Sequence, residues 1–192
     1  MIQNNKKKER SKLESQKLLE IYQSRRYADA QRLAENLVKE FPNYQFFWKV
    51  LGATLLHNGN VLEAINANKK SIQLNPMDAE AFYNLAITQK EFGRYIEAEC
   101  SYHRALLIKP NYYQAYSNLG NIYKILGKNK EAENNYKKAI KIKPDYADAY
   151  YNIGRLFQEI DNNEDAISNY KKAKIFNPNY AEAYNNLGSL FQ

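Results

Sequence analysis

A period of 34 residues runs through this chain without an insertion or a deletion. All five prolines keep it, at Pro42, Pro76, Pro110, Pro144 and Pro178. So do the aromatic residues Trp48, Phe82, Tyr116, Tyr150 and Tyr184, and the alanines Ala30, Ala64, Ala98, Ala132 and Ala166. A period this strict describes a stack of like units, none of which can bury its apolar surface alone. The stretch Tyr113–Tyr146 shows the unit: a helix, a turn at Gly127, a second helix, and a stop at Pro144. Numbered 1 to 34 from Ser11, the frame runs 11–44, 45–78, 79–112, 113–146 and 147–180, and residues 181–192 begin a sixth copy. We expect helix A over positions 1–14 and helix B over 17–30, and no strand-like alternation occurs anywhere. Glycine at position 15 (Gly59, Gly93, Gly127) supplies the left-handed residue that ends helix A. Proline at position 32 cannot continue helix B.

A helical wheel then sorts the positions. On helix A, positions 4, 7, 8, 11 and 14 share a face, occupied in the fourth copy by Tyr116, Leu119, Gly120, Tyr123 and Leu126. On helix B, positions 17, 20, 24, 27 and 30 make the facing stripe, with Ala132, Tyr136, Ala139 and Ile142 in that copy. Small residues at position 8 admit a close helix, and large against small is what interlocked helix pairs require. Asn68 at position 24 and Gln89 at position 11 break the pattern, and looser packing is expected at both.

Composition narrows the classes. The chain is 44% apolar and 26% charged, an ordinary balance for a folded protein, and no apolar run nears the ~18 residues of a membrane span. The start carries Lys6, Lys7, Lys8 and Arg10 without an apolar segment behind them, which argues against a secretory signal. Residues 1–10 read as a basic polar lead-in or an extension of the first helix. One cysteine, Cys100, excludes an internal disulfide framework and fits a cytoplasmic setting. The net charge of +7 favours acidic partners without bearing on the fold.

The motif Trp/Tyr-x2-Leu-Gly-x2-Tyr, followed by Ala at 20, an aromatic at 24, Ala at 27 and Pro at 32, resembles the tetratricopeptide repeat. The likeness covers residues 11–192. The first copy departs most, with Glu14, Lys17 and Ala34 in place of motif residues, as a capping repeat often does. The resemblance implies an all-α fold: a right-handed α-solenoid of antiparallel helix pairs, five repeats plus a terminal helix, whose helix A faces line a concave groove. It also implies a non-catalytic scaffold that holds a protein or an extended peptide in that groove. Residues 16–110 look like the first repeats of long bacterial multi-repeat proteins.

Positions 2, 5, 6, 9, 12 and 13 of helix A lie opposite the wheel's core stripe. Position 6 holds Asn84, Asn118, Asn152 and Asn186 in succession. An amide both donates and accepts, so a ladder of them can pair with a peptide backbone of any sequence. The arrangement resembles the asparagine ladder of O-linked N-acetylglucosamine transferases. Tyr83, Tyr151, Asn121 and Arg155 add stacking, hydrogen bonds and charge. Toward the amino terminus the same face turns apolar at Phe46, Val50, Ala53 and Leu56, beside Lys49. That part either takes an apolar anchor or packs against the chain's own first helix. A two-carboxylate clamp for chaperone tails is not expected: after Lys49 the frame gives Ala53, Asn84, Gln114 and Asn118, without the clamp's second cationic pair.

The opposite face carries Lys69, Lys70, Arg104, Lys137, Lys138, Lys141, Lys171 and Lys172. Glu63, Glu97, Glu131 and Asp165 break its field, and it lacks interleaved aromatics, so it reads as a solvated surface rather than a nucleic-acid stripe. His57 and His103 fall in different repeats, and Cys100 lies near neither groove nor histidine pair. No nucleophile–base pair, metal-ligand spacing or phosphate loop appears, so neither catalysis nor a cofactor is expected. Gln192 stands at position 12 of a repeat, which leaves Leu187, Leu190 and Phe191 without a covering helix B. Two expectations follow: self-association through that helix, or a chain that serves as the substrate-recognition arm of a glycosyltransferase or sulfotransferase lying beyond residue 192. If position 7 is core, Leu119→Ala should cost on the order of 2–5 kcal/mol in urea denaturation, and a negligible change would remove position 7 from the core.

Overall fold

The computed structural model describes the backbone of residues 2–190 and the side chains of residues 9–190. Phe191 and the side chains of Lys6, Lys7 and Lys8 therefore lie outside the described residues. Within them the chain is all α-helical and divides into two compact units. The first, Met1–Ile108, contains α1 (Ile2–Gln23), α2 (Tyr27–Glu40), α3 (Gln45–His57), α4 (Val61–Leu74), α5 (Ala79–Glu91) and α6 (Tyr95–Ile108). The second, Lys109–Gln192, contains α7 (Tyr113–Ile125), α8 (Asn129–Ile142), α9 (Ala147–Glu159), α10 (Asn163–Phe176) and α11 (Ala181–Ser189). The basic lead-in is an extension of α1, and its Arg10 pairs with Glu40 of α2 at 2.8 Å.

From α3 to α10, each helix A occupies frame positions 1–13 and each helix B positions 17–30. The turn between them uses one left-handed residue at position 15. Gly59, Gly93 and Gly127 fill it with φ of 83°, 81° and 72°. Arg25 and Asp161 hold the same position at φ 58°, so the geometry persists where glycine is absent. The turn from one repeat to the next is tied by position 4. Trp48 donates its indole N–H to the Pro42 carbonyl at 2.8 Å, and the Tyr150 hydroxyl reaches the Pro144 carbonyl at 3.2 Å. This bond spans six residues in both cases, which accounts for the fixed distance between the proline and the aromatic.

Helix B buries positions 20 and 24 throughout, from Ala30 and Ala34 to Ala166 and Tyr170. Helix A buries positions 7 and 8 as the wheel anticipates, and in addition positions 3 and 10, which it passed over. Phe47, Ala81, Ala115, Ala149 and Ala183 at position 3 are all fully buried, as are Thr54, Thr88 and Ile122 at position 10. Each internal helix A is enclosed on more than one side: α3 touches α2, α4 and α5. Ser117 at position 5 is also buried.

Four expectations change. Ile142 lies at the exposed end of α8 rather than in the core, and Tyr116 is only half-buried, its ring covered by the Lys138 ammonium at 5.5 Å. Leu187 is buried against Ala166 and Tyr170, with Leu190 packed beside it, because α10 of the preceding repeat covers that side of α11. Gln89 does not loosen its surroundings: it is buried, accepts from the Ser101 hydroxyl at 2.6 Å and donates to Glu97 at 3.3 Å. Asn68 is fully buried as well, and a cavity does open beside it.

In repeats four and five, positions 8 and 24 pack with no room for a side chain at position 8. A Cβ built on Gly120 would lie 2.5 Å from the Tyr136 ring, and one on Gly154 2.7 Å from the Tyr170 ring. At Gly188 a Cβ would meet nothing within 4 Å. Gly120→Ala should therefore destabilise the chain by about 1–3 kcal/mol by overpacking. Gly188→Ala should be neutral or stabilising by up to about 1 kcal/mol, from helix propensity alone. Thermal denaturation of the two variants checks the contrast.

Candidate functional site

In the second unit the position-6 asparagines stand on α7, α9 and α11, each half-buried. Each of the later two reaches the position-5 side chain of the preceding repeat: Asn152 donates to the Ser117 hydroxyl and Asn186 to the Tyr151 hydroxyl, both at 3.4 Å. The repeat of this contact brings Asn118, Asn152 and Asn186 onto adjacent helices of one helix-A face. Both bonds are long, and neither uses the amide oxygen.

Other candidate residues serve the protein's own packing. The Tyr136 hydroxyl donates to Asn121 Oδ1 at 2.8 Å, and the Tyr170 hydroxyl donates to Gln158 Oε1 at 2.7 Å while accepting from Asn186 at 3.2 Å. Burial raises the pKa of both tyrosines, so they remain neutral donors. Tyr151 packs its ring between Tyr170 and Tyr180, at centroid distances of 5.7 and 4.8 Å. Arg155 is exposed and lies 3.6 Å from Glu159, which also takes Lys124 at 2.7 Å. The lysines of the opposite face are partly engaged as well: Lys172 sits over Tyr150 at 5.8 Å, as Lys138 does over Tyr116.

In the first unit, Asn84 is half-buried and its backbone carbonyl accepts from Thr88 Oγ1 at 2.7 Å. Tyr83 meets Tyr102 edge to face at 5.9 Å. The apolar residues of α3 are closed off by the chain itself: Val50 is buried in a cluster with Leu18, and Ile21, Tyr22, Phe46 and Leu56 pack against it. Lys49 is withdrawn from solvent and bonded to Asp78 at 3.1 Å and Glu80 at 2.6 Å. Asp78 in turn caps α5, accepting from the Glu80 and Ala81 amides, and takes a bond from Gln45 at 2.7 Å. Burial alone would lower the Lys49 pKa, but its two carboxylate partners outweigh that and leave it raised. Burial opposes the charge of Asp78 too, and Lys49 reverses the balance and lowers its pKa. The group is a clasp between α3 and α5. Its parts were legible only singly, since Lys49 and Asp78 stand almost a full repeat apart.

Elsewhere in the first unit a cavity of about 200 Å³ is lined by Tyr22, Ala53, Leu56, His57, Asn68, Asn84, Ile87 and Thr88. Sequence periodicity marked Asn68 as irregular but offered no sign of a cavity. Among the described residues no group of three or more His, Cys, Asp or Glu is placed to hold a metal ion. Nor is any helix among them long and apolar enough to cross a membrane.

Helix pairs repeating every 34 residues define an all-α solenoid. Tetratricopeptide repeat family models match residues 20–78, 67–99, 120–161 and 147–180, most of the chain between them. The chain is a tetratricopeptide repeat protein. A crystal structure of MamA is 28% identical, with a TM-score of 0.73 over 85% of this chain and 95% of that one. TTC0263 from Thermus thermophilus, 20% identical, aligns at 0.77 over 94% and 98% of the two chains, and shows the fold alone. So does YrrB, described as having an unusual peptide-binding site, 18% identical and aligned at 0.69 over 88% and 87%. The peroxisomal targeting signal receptor of Candida glabrata is 39% identical over 61 residues, 32% of this chain and 10% of the receptor. The chain thus matches about a tenth of the length of that relative.

Lys49→Met should lower stability by roughly 1–3 kcal/mol at pH 7, by leaving Asp78 partly buried without its cation. With Asp78 lowered, its contribution holds above the ordinary aspartate range near ~3.9 and disappears as pH falls through the folded value. With Lys49 raised, its contribution holds below about 10.4 and disappears as pH rises through the folded value. Urea midpoints of wild type and variant should therefore differ at neutral pH and converge in acid.

Proposed function

We propose that this chain is a non-catalytic scaffold whose helix-A faces bind an extended segment of another protein, gripping its backbone rather than reading its sequence. The observation that supports this is the recurrence of Asn118, Asn152 and Asn186, each half-buried, on successive A helices of the second unit. Asn84 repeats the position in the first unit. Tyr83, Tyr151 and Arg155 flank these amides and would meet side chains of the bound segment. Asn121 supports Tyr136, and Lys49 supports α5; both act on the site through the fold. A tetratricopeptide fold is also the fold of YrrB, for which a peptide-binding site is described. A cytoplasmic setting fits the lone thiol of Cys100, which is exposed and unpaired in a disulfide.

Selection of a random-peptide library on the full chain supplies ligands for the test. Asn118→Ala combined with Asn152→Ala should weaken a selected peptide on the order of 10-fold, from two lost backbone bonds worth about 0.5–1.5 kcal/mol each. Methylating the peptide's backbone nitrogens should do the same, while scrambling its polar side chains should matter less. Unchanged affinity in the double variant, with its melting curve intact, would remove the ladder from the mechanism.

A further inference from the structure

Position 9 of helix A has no fixed chemistry along the chain. In repeat five it holds Arg155; in the other copies it holds Leu19, Ala53, Ile87, Asn121 and Ser189. Helix packing therefore requires no charge there, and the Arg155 side chain is 44% exposed. Arg155 follows Asn152 by three residues, which puts the two on one face of α9.

Its surroundings leave that charge uncompensated. The Lys124 ammonium reaches across from α7 and takes Glu159 Oε1 at 2.7 Å, and its own side chain is only 14% exposed. Arg155 Nη2 lies 3.6 Å from the same oxygen, beyond hydrogen-bond range. Two cations thus face one carboxylate oxygen, and the nearer of them holds it. A guanidinium presents its N–H donors in a planar fork that matches a carboxylate. The other carboxylates on this helix-A face of the second unit, Asp148 and Glu182, stand in the first turns of α9 and α11. Asp148 is about 10 Å from Arg155 along the helix, a separation at which salt screens exposed charges, and it takes the Tyr180 hydroxyl. The charged groups that act on the Tyr136 and Tyr170 hydroxyls are Arg155 and Glu159. Those hydroxyls bond Asn121 and Asn186, so the excess positive charge sits among the amides.

We propose that Arg155 receives the carboxylate of an aspartate or glutamate side chain, carried by a segment bound along Asn118, Asn152 and Asn186, while Lys124 holds Glu159. The inference deepens the peptide-binding reading and rests on it. The amides accept any sequence, and Arg155 makes one position of the segment selective. A carboxylate there brings the group of Lys124, Arg155 and Glu159 to neutrality, whereas a lysine meets two cations.

The test uses the full chain and blocked heptapeptides Ser-Ala-Ser-X-Ser-Ala-Ser, in which X is glutamate, glutamine or lysine. Binding is read by NMR at the side-chain amides of Asn118 and Asn152 and at Arg155 Nε–H. Wild type should bind the glutamate peptide about 5-fold more tightly than the glutamine peptide, and the lysine peptide most weakly. Ionic strength of about 1 M should shrink that preference. Arg155→Gln should erase it and leave the affinity for the glutamine peptide unchanged. Glu159→Gln removes the competing carboxylate and should tighten the glutamate peptide several-fold, a change of opposite sign that lost packing could not produce. Both side chains are exposed, so both variants should melt as wild type does. Equal affinity for the glutamate and glutamine peptides, or an undiminished glutamate preference in Arg155→Gln, would overturn the proposal and leave backbone binding standing. So would peptides selected from a random library without an acidic residue enriched at any position. Absence of binding by the heptapeptides and by any library peptide sinks both readings together. A glutamate preference with unchanged affinity in the Asn118→Ala/Asn152→Ala double variant sinks only the ladder.

Discussion

The structure depends on one contact repeated down the chain, that of position 8 of helix A with position 24 of helix B. The two share a nearly fixed volume. In repeats four and five a glycine faces a tyrosine. In the first repeat the sizes are reversed: Leu18 stands at position 8 and Ala34 at position 24, both fully buried in one cluster. Either assignment fills the space, in keeping with cores that tolerate exchange when total volume is kept. The first repeat is therefore no weaker version of the others, despite the loss of the motif aromatics. Repeat two pairs a glycine with an asparagine, and a cavity of about 200 Å³ lies next to Asn68.

Around that contact, the period is held by bonds that span the repeat boundary. Proline ends helix B, and at two boundaries the position-4 aromatic of the next helix, Trp48 or Tyr150, hydrogen-bonds its carbonyl. Lysines of helix B then cover the outer faces of those rings, as Lys138 covers Tyr116 and Lys172 covers Tyr150. A single inserted residue would move the aromatic off the carbonyl and the small residue off the ring together, which explains a period without insertions. The charges on that surface thus do more than keep the chain in solution, although each such contact is worth only about 0.5–1 kcal/mol.

Much of this was legible in the sequence, because volume and helix periodicity are properties of residues. The alanines at position 20, Leu119, Gly120, Tyr136 and the glycine turns all stand where the pattern puts them. What escaped it has a common cause. A wheel assumes one buried face, whereas a helix between neighbours is buried on several. Ala115 and Ser117 are too small or too polar to register as apolar periodicity, yet both are sealed by adjacent helices. Ile142 has the opposite problem: it is apolar and in phase, but it falls at a helix end that nothing covers. Partners distant in sequence, such as Lys49 with Asp78, carry no periodic signal at all.

Function is harder to read for a related reason. Asn121 and Asn186 look alike in the sequence, but Asn121 accepts from the Tyr136 hydroxyl of its own repeat, while Asn186 donates to the Tyr151 and Tyr170 hydroxyls of the preceding one. Whether an amide serves the fold or a ligand depends on which hydroxyls the neighbouring repeat brings within reach. Asn68 makes the point most sharply. As a substitution in a repeat it appears as a defect, polar and too small for its place. In the structure its amide takes up the room beside Gly52, bonds Thr88, and borders a cavity of about 200 Å³. A repeat architecture supplies the template for reading such a departure, since the same two positions are filled by glycine and tyrosine in repeats four and five.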